Sequence, residues 1–247
     1  MSAQPTVPRS QPYEADNLLD RLSHADTLEV HYRHLMDRER VLLDRRLGLK
    51  SGKVLSVGCG WNPGRHLFPA PAFKIVAVDS DPAKVDGVRA EGRADEAHVG
   101  AAGELPFEDG SFDVVLYRLV LHHIAFQGPL DECFREAARL LAPGGALVAV
   151  EPGLWHPVGL GLALANRSGF ATTVHGTADD IPLSPRRLCQ QARDSGLDPE
   201  LHAVTYTWRR FPRALQRALQ PIDVIGSRPR TAPFGHTLML IARSPRC

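Results

Sequence analysis

At 247 residues with 43% hydrophobic content, the chain can bury a full core as one domain. Its formal net charge of +1, from 29 basic and 28 acidic residues, argues against a nucleic-acid binder held by its overall field. The four cysteines, Cys59, Cys133, Cys189 and Cys247, lie far apart with no C-x-x-C pair, which argues against a disulfide framework or a structural zinc.

Residues 1–25 open on a Pro-, Ser- and Gln-rich stretch and are expected to form a flexible tail without the features of a secretory signal. From 26 to 49, Leu28, Tyr32, Leu35, Met36, Leu42, Leu43 and Leu47 recur at helical spacing until Gly48 ends the run. Val54-Leu55-Ser56-Val57 then reads as a strand feeding Gly58-Cys59-Gly60-Trp61-Asn62-Pro63-Gly64, with a helix expected to start at Arg65-His66-Leu67. Glycines at 58 and 60 allow a tight turn and a close approach of backbone to ligand.

Further strands are expected at 73–79, ending on Asp79, at 97–99, at 111–117 and at 146–151. A helix after Pro82 is capped by Ser80 or Asp81, and another spans 129–141. Residues 152–183 read as a cap with a short helix over 158–167. A helix from Ser184-Pro185, a strand over 201–208, an irregular or helical piece over 212–219 and a strand over 237–242 complete the chain. Strands alternating with helices predict an α/β fold with a doubly wound, mostly parallel seven-stranded sheet. Val158 to Ala165, the most apolar segment, is far short of the roughly 20 residues of a membrane span. A cytoplasmic protein with no stable membrane insertion is expected. From Ser184 onward eleven arginines stand against four acids, most simply a solvated face.

Four blocks in this order resemble the class I S-adenosylmethionine-dependent methyltransferases, and within them the small-molecule group called type 11: Leu55-Ser-Val-Gly-Cys-Gly60, Val76-Ala-Val-Asp79, Glu104 to Asp113, and Leu140-Leu-Ala-Pro-Gly-Gly145. The resemblance covers about residues 54–151. It implies S-adenosylmethionine as cofactor, a Rossmann-like sheet, a cofactor-binding half over 53–151 and a substrate-side half over 184–247 in a single domain. The implied cofactor contacts are Gly58, Cys59, Gly60, Asp79, Ser80, Ala102, Gly103, Glu104, Leu105, Tyr117 and Arg118. Asp79 would accept hydrogen bonds from both ribose hydroxyls, and Leu105-Pro106-Phe107 would lie where the family packs its adenine. Tyr117 and Arg118 would face the crevice at the end of the fourth strand.

Departures are Ser56 and Ala101, where the family often carries acids, and the longer loop Trp61-Asn62-Pro63-Gly64. Glu104, Asn62 or Tyr32 could compensate. His123 and His122 are the candidate bases if the acceptor must lose a proton, and bracing of the loop is their alternative role. The acceptor is expected to be a small, lipophilic molecule, with no nucleic acid as partner. His156 and His175 fall in the cap, and His31 and His34 read as a surface pair rather than half of a metal site. Two other readings stay open: a non-catalytic protein that kept the fold, and a nicotinamide-dependent oxidoreductase, although Pro63 stands at the third glycine of G-x-G-x-x-G.

Overall fold

The computed structural model describes residues 25–170, 182–225 and 228–245. His175, Cys247 and the tail before Ala25 lie outside them. The elements are α1 (Ala25–Arg46), β1 (Gly52–Val57), β2 (Phe73–Asp79), α2 (Pro82–Ala90), β3 (Glu96–Val99), β4 (Phe112–Arg118), α3 (Leu121–Gln127), α4 (Asp131–Leu140), β5 (Leu141–Pro152), α5 (Pro157–Arg167), α6 (Pro185–Asp194), β6 (Asp198–Thr205), α7 (Arg213–Ile225), a 3-10 turn (Ala232–Phe234) and β7 (Thr237–Arg243).

They build one seven-stranded sheet in the order β3-β2-β1-β4-β5-β7-β6. β7 runs antiparallel to both its neighbours, and the other strands are parallel. The fold is the expected doubly wound, Rossmann-like one. Side chains alternate across the sheet. Leu55, Val115, Tyr117 and Leu147 pack with Phe134 and Leu140 of α4 and Leu188 of α6. Val54, Ile75, Leu116 and Val148 pack with Leu35, Leu42 and Leu43 of α1. Strand order reverses between β1 and β4, so the crevice for a ligand opens at their carboxyl ends.

Three local expectations are corrected. No helix follows the glycine loop: Gly64 to Phe68 closes one turn, with the N–H groups of Leu67 and Phe68 both donating to the Gly64 carbonyl. Pro69 and Pro71 stop it there, and α1 with Phe68 covers that face of the sheet instead. The expected helix over 129–141 is preceded by the separate α3, too short to leave a periodic signal. β6 starts at Asp198 and ends at Thr205, where the Thr205 hydroxyl accepts the Thr207 N–H at 2.9 Å and turns the chain out of the ladder.

Candidate active site

Parallel strands place the ends of β1, β2, β3 and β4 along one edge, and most of the expected residues sit there. Gly58 has φ 60° and Gly60 φ 51°, the left-handed region. A Cβ on Gly58 would stand 2.2 Å from Val120 Cγ2, so this glycine lets the ends of β1 and β4 close together. A Cβ on Gly60 would meet nothing within 4 Å, so this part of the loop faces open space.

Asp79, almost fully buried at the end of β2, ties the loop down. Its Oδ2 accepts the Gly60 N–H at 2.8 Å and its Oδ1 the Asp81 N–H at 3.0 Å. Lys84 Nζ stands 4.0 Å from Oδ1. The cap of α2 is Asp81, whose Oδ1 accepts from Ala83 N at 2.9 Å, so Asp79 is not the helix cap. Ser80 is exposed between them. Burial, and then the Asp79 carboxylate, push the Cys59 thiol up to about 12, which leaves it an unreactive wall.

The departing loop is a built turn. Asn62 Oδ1 accepts the Gly64 N–H at 3.1 Å, and Trp61 lies on α2 in the space that a side chain at Gly87 would fill. Ser56 is buried in β1 between Ala77 and Leu116.

The segment after β3 is pinned from α4. Glu136 Oε1 accepts the Leu105 N–H at 2.8 Å, and Arg139 donates to the carbonyls of Leu105 and Phe107 at 3.1 and 2.9 Å while pairing with Glu136 and Asp109. The Arg139 hydrogen bond holds the Glu136 carboxyl below the usual carboxylate range. Leu105 turns into the core, Phe107 packs edge-on against His98 and Phe112, and Pro106 and Glu104 are exposed. Ala102 and Gly103 are half-buried beside them.

Tyr117 corrects an expectation. It does not face the crevice: it is fully buried, its hydroxyl donating to the Cys133 carbonyl at 3.1 Å, because the pleat turns it onto α4. Arg118 is drawn toward α1, where its guanidinium forks onto Glu39 at 3.0 and 3.2 Å, and His66 reaches the same carboxylate at 3.0 Å. Desolvation of fully buried Glu39 favours its neutral form, but Arg118 and His66 outweigh it and the pKa falls.

Glu151, next to the last residue of β5, is a buried carboxylate at the crevice edge that carries no motif of its own. Fully buried, it accepts from Val120 N at 3.0 Å, Leu121 N at 2.8 Å and His122 Nδ1 at 2.6 Å. A carboxylate only accepts, so Nδ1 of His122 carries the hydrogen. His122 is therefore a braced, buried ring. His123 is half-exposed with its ring centroid 4.0 Å from that of His122. Leu119 just before them has φ 55°, a strained non-glycine conformation at the crevice edge.

His31 and His34, on α1, are not a surface pair. His34 reaches Asp223 at 2.6 Å, while His31 is buried, its ring 6.3 Å from that of His236, which lies 5.2 Å from that of His156. Desolvation, with Arg209 and His34, lowers His31 to about 4. Desolvation also holds His236 and His156 below the usual value, so the trio is neutral at pH 7. Nδ1 of His31 is buried without a hydrogen-bond partner among the described residues. Tyr32 accepts from Arg209 at 3.2 Å. Among the described residues, no group of three or more His, Cys, Asp or Glu could hold a metal.

A family model described as a methyltransferase domain matches residues 55–149. A 27-O-demethylrifamycin SV methyltransferase of Amycolatopsis mediterranei is 31% identical over 215 residues, 80% of this chain and 75% of that one. The chain belongs to the class I S-adenosylmethionine-dependent methyltransferases. S-adenosylmethionine is the cofactor that membership of these methyltransferases implies. A relative in Mycolicibacterium smegmatis, an S-adenosylmethionine-dependent methyltransferase by name, is 36% identical over 118 residues, 47% of this chain, and the chain spans only 44% of its length. The phosphoethanolamine N-methyltransferase 2 of Haemonchus contortus, solved with S-adenosyl-L-methionine, shares the fold with a TM-score of 0.57 at 20% identity, covering 83% of this chain and 52% of that one.

Proposed function

We propose that this chain transfers a methyl group from S-adenosylmethionine to a small, lipophilic acceptor. The coupling of the glycine loop to Asp79 carries the reading. Each Asp79 oxygen takes one backbone N–H and keeps a lone pair for a ribose hydroxyl, which suits a diol. The open side of Gly60 would admit the methionine portion past Gly58 and Cys59, and Ser80 would flank the ribose. The pinned segment Ala102-Gly103-Glu104-Leu105 would border the adenine. Arg118 would act by fixing the end of β4 to α1, and Tyr117 by packing beneath it.

The bound cofactor supplies a methyl group on a sulfonium centre; the chain aligns the acceptor and excludes water. His123, whose ring lies 4.0 Å from and tilted 39° to that of His122, would take a proton from the acceptor, with Glu151 holding the His122 ring. An apolar wall suits a lipophilic molecule: Trp155 packs 5.9 Å from Phe234, and Leu160, Leu164 and Phe170 are exposed on and after α5. The Amycolatopsis relative is likewise named for a small-molecule acceptor.

Thermal unfolding with each candidate ligand tests this. S-adenosylmethionine at about 100 times its dissociation constant should add about 2.7 kcal/mol, a rise of roughly 5 to 10 °C in Tm, and NAD should add nothing. A rise with NAD and none with S-adenosylmethionine would sink the proposal.

A further inference from the structure

We infer that the outer face of α7 and the 3-10 turn after it form a docking surface for an anionic lipid bilayer. This goes beyond methyl transfer and does not rest on it.

α7 turns two polar side chains inward. Gln216 and Asp223 are fully buried. Gln216 Nε2 donates to the carbonyls of Arg209 and Phe211 at 3.2 and 2.8 Å. Asp223 accepts from Thr205 Oγ1 at 2.8 Å and Tyr206 N at 2.7 Å and pairs with His34, while Arg38 donates to the Asp223 carbonyl at 2.7 Å. Hydrogen bonds thus dock the helix, and Leu215, Ile222 and Val224 are left outside. Leu215 is 42% exposed, Ile222 44% and Val224 66%. Leu215, Ala218 and Ile222, spaced three and four apart, share one stripe, with Ala214 and Pro221 exposed beside it. Tyr206 extends this surface. Its N–H goes to Asp223 and its hydroxyl donates to the Thr231 carbonyl at 3.0 Å, which brings the turn bearing exposed Phe234 next to the end of α7.

Charge selects the occupant. Residues 205–231 contain six arginines, Arg209, Arg210, Arg213, Arg217, Arg228 and Arg230, and a single acid, the buried Asp223. Arg213, Arg217, Arg228 and Arg230 are exposed. Exposed apolar residues among arginines suit a helix lying in the headgroup layer of an anionic membrane. Arg213 and Arg217 share a groove with Glu29 and Asp37 of α1, while Arg228 and Arg230 are exposed in a segment whose one acid is buried. A nucleic acid would match the arginines but leave Leu215 and Ile222 without apolar partners. Docking is at the surface, because no described helix is long and apolar enough to cross a membrane.

Co-sedimentation of the full chain with vesicles of phosphatidylcholine alone, or with added phosphatidylglycerol, tests the inference. Partitioning onto the anionic vesicles should exceed that onto neutral ones at least tenfold and weaken with salt. The pair Arg213→Ala and Arg217→Ala should lower the partition coefficient about 25-fold, at about fivefold per arginine. The pair Leu215→Asp and Ile222→Asp should abolish it, with circular dichroism melting as the control for folding. Should that second pair fail to fold, the arginine pair still decides. Equal partitioning onto both vesicle types, no partitioning, binding to RNA alone, or a dimer that Leu215→Asp dissociates would each overturn the inference.

Discussion

Two glycines of one loop share a backbone conformation and differ in the space around them. Gly58 has a left-handed φ and no room, while Gly60 has a left-handed φ and open space. Gly58→Ala should therefore cost the backbone penalty of about 1–2 kcal/mol plus an overlap with Val120, and Gly60→Ala the backbone penalty alone. Urea unfolding of the two variants should show Gly58→Ala clearly the less stable; equal losses would contradict the close approach to Val120. The neutral histidines set a pH dependence. His31 falls from 6.5 unfolded to about 4 folded, so between these values the unfolded chain binds more protons and stability rises with pH. Acidification from pH 6.5 to 4 should remove roughly 3 kcal/mol through His31, and His236 and His156 act in the same direction. Glu39, with its lowered pKa, adds its loss below the ordinary carboxylate range rather than in this window. His31→Phe should flatten the fall in Tm between pH 6.5 and 4; an unchanged slope would contradict the burial of a neutral imidazole.

At the scale of elements, short segments are held by one side chain reaching across from a longer one. Arg139 and Glu136 of α4 grip the segment after β3, and Glu151 of β5 holds the start of α3. Arg139→Ala should loosen residues 101–109, lower S-adenosylmethionine affinity about tenfold and speed proteolysis in that segment, since ordering it would then cost binding free energy. Unchanged affinity would show that the segment does not border the cofactor. These ties explain what motif reading did not yield. Asp79 and the glycines announce themselves through local pattern, since they end strands. Arg118 finds Glu39 79 positions away, and Tyr117 turns inward through the pleat of a strand whose far side is also buried. α3 is too short for periodicity, and the inward polar face of α7 runs against the usual patterning.

For the whole molecule, the sheet was legible because both its faces are covered, so its strands stand out as apolar runs: Val54 to Val57, Ile75 to Val78, Val114 to Leu116 and Leu238 to Ala242 are all buried. The antiparallel place of β7 and the histidine trio around His236 were not legible, since both depend on how distant segments return to the carboxyl edge of the sheet. Titration calorimetry of the chain with S-adenosylmethionine should give saturable one-to-one heat, and Asp79→Ala should weaken binding at least tenfold while the protein stays folded, as expected when a charge-assisted pair of hydrogen bonds worth about 1.5–3 kcal/mol is lost. No heat from the native chain at millimolar S-adenosylmethionine, or equal affinity in Asp79→Ala, would contradict S-adenosylmethionine binding at Asp79.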